Sequence, residues 1–223
     1  MPFFFFIPEF LCTFEIMFRK YSRSKKLKIL LVFCSLNRTF APVMTPQEYI
    51  QLKAFARQDG ALLSLMWIGA LVCYIQGLTY PMLGMAAMVF IFGSPFFAAS
   101  RLRHFRDYAR EGIISFSRSY AYTVLIFFYA GILFAVAVFL YFAFLDHGFL
   151  LSKIMETVQS TEGRQMIQMY GMEKDVNDSL KTLSELRPID YALNMLTINI
   201  ITGFILGLPI AALMQKNVKT LKN

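Results

Sequence analysis

Four stretches of this chain stay apolar for about twenty residues at a time, and that pattern decides what it can fold into. They run from about Ala61 to Tyr80, Pro81 to Ser100, Ala121 to Leu145 and Tyr191 to Met214. At 1.5 Å per residue, roughly 20 residues match the ~30 Å hydrocarbon core of a bilayer. Lipid offers no partner to an unpaired N–H or C=O, so each spanning segment must close its backbone hydrogen bonds internally, as a helix. The expected fold is therefore all-α: a polytopic membrane protein with four transmembrane helices. Composition agrees, with 57% hydrophobic and 16% charged residues against about 45–50% and about 25% in soluble domains.

The connections order these spans. Gly77-Leu78-Thr79-Tyr80-Pro81 is a short turn, so the first two spans form an antiparallel hairpin, with Pro81 opening the second helix, where its missing N–H costs little. The third stretch is longer than the core requires and should tilt or protrude. Lys53 and Arg57 precede the first span, Arg101, Arg103, Arg106, Arg110 and Arg118 lie between the second and third, and Lys216, Lys219 and Lys222 follow the fourth. Four crossings put all three groups on one side. The other side carries 146–190, with five basic residues against eight acidic ones, a net charge of −3. By the positive-inside rule both termini are expected in the cytoplasm.

Between the second and third spans, Leu102, Phe105, Ala109, Ile113, Phe116 and Tyr120 recur at spacings of three and four. That spacing predicts an amphipathic helix lying at the cytoplasmic interface, with Arg103 and Asp107 placed for an i,i+4 pair and His104 solvated. Its five arginines serve first as topology determinants, and they are candidates for contact with anionic lipid headgroups or a cytoplasmic partner. The 146–190 segment is expected to be small and helical outside the membrane, with helices over Phe149–Gln159 and Glu173–Leu186, and Pro188 leading into the fourth span. Met166, Met169 and Met172 stand three apart, and thioethers suit Cu(I). Gly171 should interrupt that helix before Met172, so the trio reads as an apolar patch. Asp146-His147 reads as a boundary, since adjacent helical residues point apart.

Residues 1–43 differ from the rest, with Phe3-Phe4-Phe5-Phe6, a basic run from Arg19 to Lys28 and an apolar run, Ile29 to Leu36, too short to span. Thr45 as N-cap, Pro46 at the first helical position and Glu48 three residues after the cap make a clean helix start. Translation is accordingly expected to begin at Met44, with 1–43 a non-native or disordered extension and 44–223 a single four-helix domain.

Polar chemistry inside the spans is sparse. No ionisable residue lies in the central part of any proposed span, which argues against a proton relay or a charged-substrate path. Polarity concentrates in the fourth span. There Asn199, Gly203 and Gly207 share a face, Asn194 lies a turn earlier, and Gly203 and Gly207 form a G-x-x-x-G pair. Small residues allow close helix approach and a buried Asn can bond across it, so these four are read as packing residues and the fourth span as the centre of the bundle or a self-association face. Cys12, Cys34 and Cys73 form neither a disulfide framework nor a zinc site. No catalytic motif is present. No enzyme activity, metal, cofactor or nucleic-acid partner is expected.

From about Gln47 onwards the layout, with Arg106-Asp107 and Gly112-Ile113-Ile114-Ser115-Phe116 leading into the third span, resembles a bacterial family of small four-span membrane proteins, the domain of unknown function 4199. The resemblance covers most of residues 47–215. It implies a four-helix fold and a bacterial inner-membrane location, and it supplies no substrate, cofactor or catalytic residue. The function expected is that of a non-enzymatic accessory or self-associating membrane subunit. The alternative is a transporter or channel component for a neutral solute, served by Asn194, Asn199 or Gln76.

Overall fold

The computed structural model describes residues 45–216. By its contacts the chain divides into 1–49 and 50–223, and the helical bundle is the second unit. Helix α1 is Pro46–Gly77, α2 Pro81–Ala109, and α3 Phe116–Leu140 with a π-helical turn, Tyr141–Leu145, at its end. The short helices α4 (Phe149–Gln159), α5 (Thr161–Tyr170) and α6 (Glu173–Glu185) follow, then α7, Pro188–Met214. Among the described residues, four segments are long and apolar enough to cross a bilayer: Gln47–Gly77, Pro81–Ala109, Phe116–Leu145 and Pro188–Met214. The chain is a multi-pass membrane protein.

Local chemistry sets the helix ends. At the start of α1 the Glu48 N–H donates to Thr45 Oγ1 at 3.4 Å, and Glu48 Oε2 accepts from the Thr45 N–H at 3.0 Å, the reciprocal capping box the sequence predicts. Pro81 and Pro188 open α2 and α7. At the hairpin, a Cβ on Gly77 would fall 2.6 Å from the Gly84 backbone, so only glycine lets these backbones meet. Asp146 is buried and caps the way into α4: its carboxylate accepts from Gly148 N and Leu150 N, both at 3.1 Å, and from the Tyr141 hydroxyl at 3.0 Å. Ser160 caps α5 through Gly163 N at 3.0 Å. Gly171, at φ 64°, ends α5, which takes Met172 off the helix as the sequence predicts.

Two expectations need correction. The stretch Arg101–Tyr120 is helical in part, but not as a separate interfacial helix. Arg101–Ala109 continues α2 without a break, and Phe116–Tyr120 opens α3. The break is a short loop in which Glu111 and Gly112 take φ values of 51° and 80°. The same period runs through span and extension, and periodicity does not register where hydrocarbon ends. The centre of the bundle is also not α7. In the apolar window of α3, 61% of residues are buried, against 33% in α7, because α3 is packed by α1, α2 and α7 together.

Glycine governs the closest approaches to α3. A Cβ on Gly203 would lie 2.6 Å from Phe127 Cβ, one on Gly207 3.0 Å from the Tyr120 ring, and one on Gly60 of α1 2.8 Å from Tyr129 Cβ. Trp67 of α1 adds tilted and edge contacts to Phe127 and Phe134, with ring centroids 5.7 and 5.8 Å away. Gly203→Ala should therefore lower the thermal midpoint in detergent, by overpacking that costs about 1–3 kcal/mol. A Cβ on Gly93 would meet nothing within 4 Å, so Gly93→Ala should leave the midpoint unchanged or raise it, since alanine gains up to about 1 kcal/mol in a helix. Parallel melts of the two variants check the contrast.

Candidate functional site

The packed face of α1 carries Leu52, Ala56, Asp59, Leu63 and Trp67, all buried at helical spacing. Asp59 is thus a carboxylate on an apolar face, and it is 1% exposed. Two other helices meet it there. Arg101 of α2 reaches Asp59 Oδ1 through Nε at 2.7 Å and Nη2 at 2.5 Å. The Tyr122 hydroxyl of α3 donates to Oδ2. Phe105 stacks on the Tyr122 ring at 4.5 Å, and Phe55 meets Phe105 at a tilt, 5.3 Å away. Asp59 lies 18 residues before Gly77, about 27 Å along the axis at 1.5 Å per residue, near the edge of a ~30 Å core. A carboxylate in that position is stable only when paired and hydrogen-bonded.

A second cluster lies at the same, basic end. Arg106 is buried; its guanidinium donates to the Asp107 carboxylate at 2.7 and 3.3 Å and to the Met214 carbonyl at 3.1 Å. The last carbonyls of a helix lack intrahelical donors, so Arg106 ties the end of α7 to α2. Ile114 and Lys216 exchange two backbone hydrogen bonds at 3.0 Å, which fixes the exit from α7 against the α2–α3 loop. At the opposite end Phe142 stacks on Tyr191 at 4.1 Å, and the Tyr191 hydroxyl donates to the Leu183 carbonyl at 3.0 Å.

The arginines read from the sequence as one contact surface thus divide. Arg101 and Arg106 turn inward to named partners. Arg103 is 71% exposed and lies 3.7 Å from Asp107, the i,i+4 pair expected. Arg110 and Arg118 are half-buried. In α7, Gly203 and Gly207 face α3, Asn194 is half-buried, and Asn199 has its Cβ 3.3 Å from where a Gly131 Cβ would stand. The Asn199 Nδ2 is buried with no hydrogen-bond partner. Gln76 is exposed on α1.

Asp59 and Tyr122 were not among the residues singled out from the sequence. The available signal was register, since Asp59 falls in step with Leu52, Ala56 and Leu63, where a solvated residue has no place. Chemically the cluster is closed: each carboxylate oxygen is engaged, the tyrosine proton is held in the pair, and Arg101 completes it. It can lock three helices together.

Removing one partner of a buried pair strands the other. Arg101→Gln leaves Asp59 in an apolar site and should cost about 3 kcal/mol, whereas Asp59→Asn should cost about 1 kcal/mol because Arg101, 28% exposed, can turn to water. The double variant should be more stable than Arg101→Gln alone. Melts of all three in detergent check the cycle, and simple additivity would show that the pair is not coupled.

Searches of curated proteins and of solved structures gave no match. A family model described as "Protein of unknown function (DUF4199)" matches residues 59–216. The match begins at the buried carboxylate, takes in the rest of α1 and the whole of α2, α3 and α7, and ends at Lys216 of the backbone bridge, so the chain belongs to the DUF4199 family.

Proposed function

We propose that this protein is a non-enzymatic membrane subunit that associates with a second copy of itself through the outward face of α2. The observation that carries the reading is α2's packing: only 17% of its apolar window is buried. Met82, Met85, Val89, Phe92 and Phe96 form a stripe, each 68–81% exposed. Their spacing of three and four residues is the 3.5-residue seam of paired helices. In lipid, helices associate through packing and close approach, not through expulsion of water. Gly93, open to its surroundings beside Phe92 and Phe96, supplies a hole for a large side chain of the other copy. The small-residue face of α7 is already filled by Phe127 and Tyr120.

The non-enzymatic reading rests on how the buried carboxylates are used. Asp59 is held by Arg101 and Tyr122, and Asp146 by Tyr141 and two backbone amides. The location that fits is a bacterial inner membrane with both termini in the cytoplasm, since Arg101 to Arg118 and Lys216 lie at one end and the acidic 146–190 segment at the other.

Cysteine crosslinking in native membranes tests the association. In a background with the native cysteines replaced, Phe92→Cys should give a dimer on mild oxidation, and Leu208→Cys, exposed on α7, should not. Monomer at both positions would contradict the reading.

A further inference from the structure

We propose that the basic end of α2 holds the headgroup of an anionic phospholipid, on a ledge formed by Arg103, His104, Tyr108 and Lys216 around Asp107. Depth comes first. Pro81–Ser100 is 20 residues of α2, enough at 1.5 Å per residue to use the ~30 Å core, so the next turns stand among headgroups. In those turns Arg103, His104, Asp107 and Tyr108 are exposed, and His104 stacks on Tyr108 at 5.7 Å. Exposed aromatic rings beside a basic side chain suit the lipid interface.

Charge comes second. Asp107 already has both oxygens engaged by Arg106, so its contact with Arg103 at 3.7 Å is the looser one. Lys216, exposed and held by the Ile114 bridge, is close enough for its charge to act on Asp107. Arg103, Arg106 and Lys216 against one Asp107 leave the ledge net positive, with Arg103 and Lys216 outermost. A phosphodiester without a compensating amine fits this ledge, whereas a zwitterionic headgroup brings its own cation. Asp107 sets the ledge's threshold: it reduces the attraction without cancelling it. The ledge lies beyond the apolar stripe of α2, so it can be measured on the monomer in detergent, independently of association.

The experiment is native mass spectrometry of the full chain in neutral detergent, with phosphatidylglycerol and phosphatidylcholine of identical acyl chains added in turn. Phosphatidylglycerol should be retained several-fold better, and the preference should fall as salt rises. Arg103→Gln should reduce it about five-fold, the factor equivalent to about 1 kcal/mol per basic residue, and Arg103→Lys should keep most of it. Asp107→Asn should raise it by a similar factor, an opposite response that loss of fold cannot produce. Equal retention of the two lipids, no effect of Arg103→Gln, or a lower preference in Asp107→Asn would each overturn the proposal. So would displacement of the lipid by inorganic phosphate, which would assign the ledge to a soluble anion.

Discussion

Hydrocarbon provides no hydrogen-bond partners, so a polar group this chain carries into the bilayer is stable there chiefly when the protein itself answers it. The helices answer for the backbone. Many side chains are answered singly: Trp67 Nε1 donates to Ser94 Oγ at 2.7 Å, Thr123 Oγ1 to the Ser119 carbonyl at 2.9 Å, and Thr197 Oγ1 to the Leu193 carbonyl at 2.8 Å, while Asn199 Nδ2 and Ser119 Oγ stay buried without a partner. Asp59 is the extreme case, since an ionised carboxylate needs both a counter-charge and hydrogen bonds. Supplying them takes one residue from each of two other helices. The requirement to pair a single carboxylate thus fixes the mutual register of α1, α2 and α3 at that end.

The remaining architecture separates polar clamps from apolar packing. Polar contacts gather near the two ends, at Asp59 and Arg106 on the basic side and at Asp146 and Tyr191 on the acidic side. Between them, α3 is gripped through Gly60 on α1 and Gly203 and Gly207 on α7, where backbone approach gives dense dispersion contact. Helix α2 buries Ala98, Leu102, Phe105 and Arg106 toward its basic end, and in its first half only Ala87 and Ser94 are buried. A bundle built in this way has its densest contact around α3, and α2 is the span least covered by the others.

How much of this is legible in the sequence follows from the range of each interaction. The spans, the Gly77–Pro81 hairpin turn, the Thr45–Glu48 box and the Gly171 stop are set by chemistry within a few residues, and they can be read directly. The 59–101 ion pair joins residues 42 apart, and nothing local says which arginine turns inward. By charge and by place in the chain Arg101 and Arg103 are alike, yet one is a partner of Asp59 and the other is 71% exposed. The glycine face of α7 announces a close approach without naming what approaches. For that reason α7 reads as the centre when the centre is α3, whose large residues, Phe127 and Tyr120, occupy the space those glycines leave. The helical period across Arg101–Tyr120 is genuine, but the loop at 110–115 that divides it depends on the Arg106 carbonyl accepting backbone bonds and on the Ile114–Lys216 bridge, neither of which has a signature in periodicity.

Everything here depends on four crossings of a bilayer, which puts the α2–α3 loop and the C-terminus on one side and the 146–190 segment on the other. Compartment-sensitive reporters fused after Lys222 and inserted at the exposed turn near Gly171 measure that most directly. Signals from opposite sides of the membrane are the predicted result. Signals from the same side would contradict it.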